Sequence, residues 1–346
     1  MTTTVLAAGD DFVLPRLLRA ALDDAVGAAS TEVEVRELAL PWPHVPFGDV
    51  AEVHEASGDE DQLIDALADA QVCVTQMAPL TRRVLEASPE LRLFAVGRGG
   101  PVNANLEAAT EHGVRVTFAP GRNATATAEY SIGLLLAAAR RIPSTHAAVQ
   151  RGEWPSSLYA YDAVGLELEG ATVGLVGAGA IGGRVARILR AFGSTVLVHD
   201  PYADPEALDG VELVELDALL ERSDVVSLHA RLTEDTREMI DGAALARMRR
   251  GAVLVNCARG GLVDHTALAD ALRSGHLAGA GLDVFDVEPL PQDHPLRGAP
   301  GIVTTPHLAG ASRAVAHRAA DMVAEEVRRY LAGEAAAHLA NPAVLR

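Results

Sequence analysis

Apolar residues along this chain fall into short, largely β-branched runs separated by stretches with helical spacing. After residue 170 the alternation is regular: TVGLVG, AIGGRVARILRAFG, TVLVHD, VSLHA, AVLVNCA and AGAGLDVF follow in order, with helical stretches such as HTALADALRSG between strands. Short strands alternating with helices of about ten to fifteen residues predict a parallel, doubly wound sheet. An earlier region repeats the pattern, with TVLAAG, a helix over PRLLRAALDDA, VEVREL, a helix over DQLIDALADA, then VCVTQM, RRVLEASP and RLFAVG. The chain therefore reads as two α/β domains. NATATAEYSIGLLLAAARRI at 123–142 predicts one long helix at the domain junction, with Asn123 as its cap and two arginines suiting the negative end of its dipole. GEWPSSLYAYDAVGLELEG at 152–170 reads as a surface loop whose Tyr159 and Tyr161 cover a hydrophobic edge, and SRAVAHRAADMVAEEVRRYLAG as a final helix.

Composition narrows the chemistry. All 29 basic residues are arginine, so Schiff-base catalysis and a Walker-type phosphate loop lose their amine. The formal net charge of −18, with arginine pairs scattered along the chain, argues against a nucleic-acid partner. Cys73 and Cys257 both sit in apolar strand-like runs and read as buried free thiols of a reducing compartment. The N-terminus lacks a basic leader, and the longest apolar run, SIGLLLAAA, is too short to span a bilayer. A cytoplasmic protein with no membrane partner is expected.

VGAGAIG at 176–182 fits G-x-G-x-x-G with Gly177, Gly179 and Gly182. A bare match is weak in a chain with 31 glycines, but this one follows a strand, opens a helix, and is followed by Asp200 at the end of the next strand. Gly177 makes the turn, Gly179 admits a pyrophosphate and Gly182 lets helix and strand pack, while Asp200 suits a ribose diol and repels a 2′-phosphate. NAD is the expected cofactor. Three further strands end in polar groups: NCARGG in Arg259, GLDVFDVEP in Asp283 and Glu288, and TPHLAG in His307. A lone histidine or charge past a strand is usually a solvated loop residue, yet such groups delivered by three strands to one sheet edge point to chemistry. No HxxxH or CxxC pair suggests a metal.

The ordered set GAGAIG, HD, NCARGG, GLDVFDVEP and PHLAG resembles the D-isomer-specific 2-hydroxyacid dehydrogenase family, and VGRGG, NLEAATEHGV and AEYSIGLLLAAARRI resemble its phosphoglycerate dehydrogenase-like branch. The resemblance implies two Rossmann-like or flavodoxin-like parallel-sheet domains with an active site in the cleft between them. It places a substrate-binding domain at 1–119, completed by 313–346, around an NAD-binding domain at 120–312, in a homodimer. It implies hydride transfer between NAD and C2 of a small D-2-hydroxy or 2-oxo acid, phosphoglycerate-like and sugar-derived acids included. Carried over by motif, Arg259 binds the substrate carboxylate, His307 moves the hydroxyl proton and Glu288 orients the imidazole. Asp283 accepts from the nicotinamide carboxamide, and Ala180, Ile181, Ala230, Cys257, Ala258, Arg259, His307 and Gly310 complete the cofactor-binding set. In the first domain the resemblance makes AVGRGGP the substrate loop, with Gly99 and Gly100 N–H groups on the carboxylate and Arg98 toward a distal acid.

Departures from the pattern carry information too. Gln76 stands where phosphoglycerate enzymes often show arginine, which argues against phosphoglycerate itself. PVNAN lacks the aspartates of G-x-D-N-x-D, and Arg231 replaces a common proline. A corepressor-like NAD(H)-sensing module is the alternative from another class, although no low-complexity tail supports it. Formate dehydrogenase is disfavoured because Glu288 occupies a glutamine position of that branch. The end at NPAVLR leads us to expect no serine-binding regulatory module.

Overall fold

The computed structural model describes residues 2–27, 32–42, 48–204, 208 and 210–346. The chain divides into two compact units, residues 1–123 with 311–346, and residues 124–310.

In the first unit the elements run β1 (Thr3–Gly9), α1 (Pro15–Val26), β2 (Val33–Ala39), β3 (Gly48–Val50), β4 (Val53–Ala56), α2 (Glu60–Leu67), β5 (Val72–Thr75), α3 (Arg82–Ala87), β6 (Leu93–Val96), α4 (Leu106–Glu111) and β7 (Arg115–Phe118). A five-stranded sheet in the order β2-β1-β5-β6-β7 is parallel throughout. Its inner strands β5 and β6 are buried at every position, as uninterrupted apolar runs require when helices cover both faces. Helices start where small polar side chains accept from free backbone N–H groups: Asp59 from Gln62, Thr81 from Val84 and Asn105 from Ala108.

The second unit contains α5 (Ala124–Ala139), α6 (Ile142–Gln150), β8 (Thr172–Val176), α7 (Gly182–Ala191), β9 (Thr195–His199), β10 (Glu212–Leu213), α8 (Leu216–Arg222), β11 (Val225–Leu228), α9 (Gly242–Arg247), β12 (Val253–Asn256), α10 (His265–Arg273), β13 (Gly279–Leu282) and β14 (Ile302–Thr304). Its sheet, β10-β9-β8-β11-β12-β13-β14, is also parallel, so the loops after β8, β9, β11, β12, β13 and β14 emerge along one carboxyl edge. One face packs Leu219, Leu245, Leu268 and their neighbours, the other Leu135, Val185 and Leu189. The last helix, α11 (Arg313–Leu331), returns to the first unit and buries Ala316, Ala319, Ala320 and Val323 against Leu18 and Leu22 of α1.

The helix expected over 123–142 is α5, which ends at Ala139 with Arg140 and Arg141 following at its carboxyl end. Arg141 takes a left-handed φ of 54°, and α6 opens beyond it with Pro143 in its first turn. Proline has no N–H to continue the ladder and its ring clashes with the carbonyl four residues back, so α5 stops before it and the two arginines sit at the negative end of its dipole. Tyr159 and Tyr161 cover no edge either, being 90% and 92% exposed. The β3–β4 hairpin and α6 were absent from the sequence reading.

Candidate functional site

The turn after β8 shows why its glycines sit where they do. Gly177 has φ +95°, and a Cβ there would lie 2.8 Å from the His229 carbonyl carbon and 2.9 Å from Ala230 N. At Gly182 a Cβ would come within 2.1 Å of the Gly177 oxygen, so α7 packs on the turn only without a side chain. Gly179 is the opposite case: its Cβ would meet nothing within 4 Å, which leaves its backbone open to a ligand. The N–H groups of Gly179, Ala180 and Ile181 have no acceptor among the described residues, and the positive end of α7 reinforces them. Asp200 closes β9 and ties it to this turn, with Oδ2 accepting from Ala178 N–H at 2.8 Å and Oδ1 from Tyr202 N–H at 2.9 Å. Each oxygen keeps a lone pair for a hydroxyl donor. Open backbone, unpaired donors and a carboxylate at the next strand end fit the pyrophosphate and ribose of a dinucleotide.

Three neighbouring strands deliver the charged groups. After β12, Asn256 fastens the loop by accepting from Ala258 N–H and donating to the Arg259 carbonyl, each at 2.9 Å. Arg259 is exposed just beyond. Cys257 is buried, and burial pushes its thiol up to about 12 despite a hydrogen bond with Ser131, so it packs without reacting. After β13, Glu288 Oε1 accepts from Phe285 N–H at 2.9 Å, and after β14, His307 Nδ1 lies 2.8 Å from Glu288 Oε2. The histidine side chain is 48% exposed and the glutamate 25%, so Nε2 stays reachable while the carboxylate is partly shielded.

Burial pulls the Glu288 carboxyl upward, but the His307 hydrogen bond and the Phe285 N–H outweigh it and leave it below its ordinary value. The hydrogen bond to Glu288 raises His307 above 6.5 against partial burial and the Arg259 charge. His307 holds an unusual φ of 55°. Asp283, fully buried, helps fix that conformation: Oδ1 accepts from Thr305 Oγ at 2.6 Å and Leu308 N–H at 2.8 Å, Oδ2 from Ala309 N–H at 2.7 Å. Most of this carboxylate is thus spent on the His307 loop, which runs on to Gly310.

The carboxyl edge of the first unit's sheet is built differently. Asp10, after β1, accepts from Phe12 and Val13 N–H groups and, through Oδ2, from Gln76 Nε2 at 3.2 Å. Gln76 Oε1 in turn accepts from Arg122 Nη1 at 3.1 Å. Arg122 Nε is buried without an acceptor. Burial, with repulsion from Arg98, lowers this guanidinium to about 10. Burial likewise raises the Asp10 carboxyl despite its backbone donors and Arg122. Arg98 is not a free cation: it pairs with the Glu55 carboxylate, donates to the Glu55 carbonyl at 3.0 Å and touches Met77 sulfur at 3.4 Å. The N–H groups of Gly99 and Gly100 have no partner among the described residues.

The sequence singled out His307, Glu288 and Arg259, which the structure sets on neighbouring loops of one sheet edge, and gave no place to Asp10 and Arg122. The signal for Asp10 was present, since it follows a strand as the other polar groups do. Arg122 lies after β7 in APGRN, and only the fold brings it to Gln76.

With this geometry in view, likeness to known proteins becomes informative. A sequence profile described as the NAD-binding domain of D-isomer specific 2-hydroxyacid dehydrogenases matches residues 132–309. The D-3-phosphoglycerate dehydrogenase of Mycobacterium tuberculosis is 42% identical over 306 residues, 87% of this chain and 57% of that one. The glyoxylate reductase of Korarchaeum cryptofilum is 41% identical over 295 residues, 84% of this chain and 89% of the relative. The solved structure of TT0316 protein from Thermus thermophilus superposes with a TM-score of 0.78 at 35% identity, covering 98% of this chain and 100% of that one. The chain spans about half the length of the phosphoglycerate dehydrogenases it matches. Among the described residues no helix is long and apolar enough to cross a membrane. This chain belongs to the D-isomer specific 2-hydroxyacid dehydrogenase family.

Proposed function

We propose that the chain catalyses NAD-dependent interconversion of a small D-2-hydroxy acid and its 2-oxo acid, with His307 as the proton-transfer residue. The observation that carries this reading is the 2.8 Å His307–Glu288 pair on the loops after β13 and β14, beside the Arg259 loop and on the same sheet edge as the glycine turn. NAD, held by the Gly177–Gly182 turn and Asp200, supplies the hydride acceptor or donor when bound. Arg259 offers its fork of donors to the substrate carboxylate and polarises the C2 oxygen. In oxidation His307 Nε2 takes the hydroxyl proton, and in reduction it returns one to the carbonyl oxygen. Glu288 keeps Nδ1 protonated and balances the imidazolium.

Support for the substrate class comes from the first unit. Arg122 brings a guanidinium to Gln76, the position that resemblance marks as an arginine in phosphoglycerate enzymes, and Arg98 adds a second cation near it. A small acid suits that edge, its anionic group meeting the Gly99 and Gly100 N–H groups and the charges of Arg98 and Arg122. A homodimer belongs to the same reading, supported by Ile142, Val149, Trp154, Tyr159, Tyr161 and Val164, all exposed. A cytoplasmic site is supported by both cysteines being free and buried.

The experiment is an NADH-oxidation panel of 2-oxo acids with and without a second acidic group, run with wild type and His307→Asn. Turnover of at least one acid by wild type, lost in a variant that still binds NADH, is the expected result. Tight NADH binding with no turnover of any acid would overturn the reading in favour of a sensing module.

A further inference from the structure

A second cluster of titratable groups lies behind Glu288. Asp264 caps α10 by accepting from Thr266 and Ala267 N–H groups, which sets His265 at the first helical position with its side chain 2% exposed. Its ring stands edge-on to Phe285 at 6.2 Å and to His294 at 5.4 Å. His265 Nδ1 lies 2.8 Å from Asp286 Oδ1, and His294 Nε2 lies 3.1 Å from the same oxygen, which also accepts from Val287 N–H at 2.9 Å.

Two histidines and an aspartate with converging atoms raise the question of a metal ion. The tautomers answer it. His294 Nδ1 accepts from Leu296 N–H at 3.3 Å, so its proton is on Nε2, facing Asp286. His265 Nδ1 carries the other proton, since a bare nitrogen at 2.8 Å would set two lone pairs against each other. Ligation would reverse both assignments, leaving His265 Nε2–H buried without an acceptor and a His294 Nδ1–H aimed at the Leu296 N–H. The cluster is a hydrogen-bonded clamp on one carboxylate.

What the clamp holds is the segment that carries Glu288. Phe285 has its ring against His265 and its N–H on Glu288 Oε1. On the other side Gly260, next to Arg259, presses on the Phe285 peptide so closely that a Cβ would fall 1.9 Å from its carbonyl carbon. We propose that Asp286, clamped by His265 and His294, is a positioning residue that holds Glu288 against His307 for proton transfer. The inference rests on the acid–base reading of His307 given above. The charged groups facing His307 are Glu288, Asp283 and Arg259, and those acting on the clamp are Asp286 and Asp264 with the two imidazoles.

The test compares wild type with Asp286→Ala and Asp286→Asn, the latter keeping size and one acceptor oxygen. The His307 imidazole is titrated by NMR without substrate, and the pH profile of glyoxylate reduction by NADH is recorded. In Asp286→Ala the His307 midpoint moves down by about half a pH unit or more as Glu288 loosens. The kcat falls about tenfold, while KM for NADH stays within about twofold. Asp286→Asn lies between the two and serves if the alanine variant does not fold. An unmoved His307 midpoint in a folded variant overturns the inference, as does a stoichiometric metal ion on the trio in purified protein. Because the NMR titration needs no turnover, it decides the matter even if glyoxylate and every other 2-oxo acid prove inert, which would instead sink the proposed reaction.

Discussion

The two parallel sheets send polar side chains off the same kind of edge and use them in opposite ways. In the second unit Arg259 and His307 are anchored from behind and remain exposed, one through its Asn256-pinned loop, the other through Glu288 and Asp283. In the first unit Asp10 and Gln76 are 2% and 4% exposed and spend their groups on each other and on Arg122. An exposed, buttressed group can exchange protons and meet changing charge. A buried network cannot easily change charge, but it presents a fixed field. The difference separates an edge suited to chemistry from one suited to recognition.

The largest expected effect breaks the chemical edge. His307→Asn keeps a residue that tolerates the positive φ but cannot shuttle a proton, and should cost about 10²–10⁴ in kcat with NADH affinity retained. The pH dependence of wild type has a defined sign. His307 is raised above 6.5, so ketone reduction is fast below that raised value and falls as pH rises through it, whereas oxidation rises. Glu288→Gln removes the main cause of the shift and moves both limbs to lower pH. The pair's contribution to stability follows the same logic. The histidine part is present below 6.5 and lost as pH rises through its folded value, and the glutamate part is present above 4.5 and lost below it. Denaturation of wild type against Glu288→Gln should therefore differ most between those two values.

Next in size is the backbone contact beneath that edge. A methyl at Gly260 would sit 1.9 Å from the Phe285 carbonyl carbon, so Gly260→Ala must push the Glu288 loop off the Arg259 loop. We expect a loss of about 3 kcal/mol in stability, with the residual activity of folded protein lowered as well. A denaturant midpoint close to wild type would show that the two loops are less tightly joined than their geometry indicates.

These two edges were unequally legible in the sequence. In the second unit each candidate residue lies a few positions beyond an apolar strand, and a parallel sheet turns that local pattern into one edge, so the placement of Arg259, Glu288, His307 and the glycine turn could be read directly. The network of the first unit joins Asp10 to Gln76 across 66 residues and Gln76 to Arg122 across 46, separations that no local pattern encodes. The clamp on Asp286 escaped for the same reason, drawing His265 from the start of α10 and His294 from a loop. The end of α5 was legible, since Arg140, Arg141 and Pro143 mark it in the sequence. The half-exposed β3–β4 hairpin offers too few apolar positions to show a period.

The recognition edge yields smaller effects of a different sort. Arg122 is half-buried, with its Nε shut off from solvent without an acceptor and its charge repelled by Arg98, so Arg122→Met should leave stability within about 1 kcal/mol of wild type, the relief of burial offsetting the lost Gln76 contact. Selectivity should respond instead. The ratio of kcat/KM for 2-oxo acids with a second acidic group to that for glyoxylate falls about tenfold, with glyoxylate reduction itself little changed. A uniform loss on both classes would make Arg122 a structural residue.

Arg98→Ala gives the smallest change and tests which arginine recognises the second acid. Its partner Glu55 is half-exposed, so the ion pair is worth no more than about 1 kcal/mol. Removing Arg98 also removes a repulsion from Arg122, which raises the proton affinity of that guanidinium and keeps it the firmer cation. The selectivity ratio should therefore fall only about two- to threefold in Arg98→Ala, against the larger drop in Arg122→Met. If the order is reversed, the Glu55 contact must yield to substrate, and the first unit would then work like the second, through an exposed charge that changes partners.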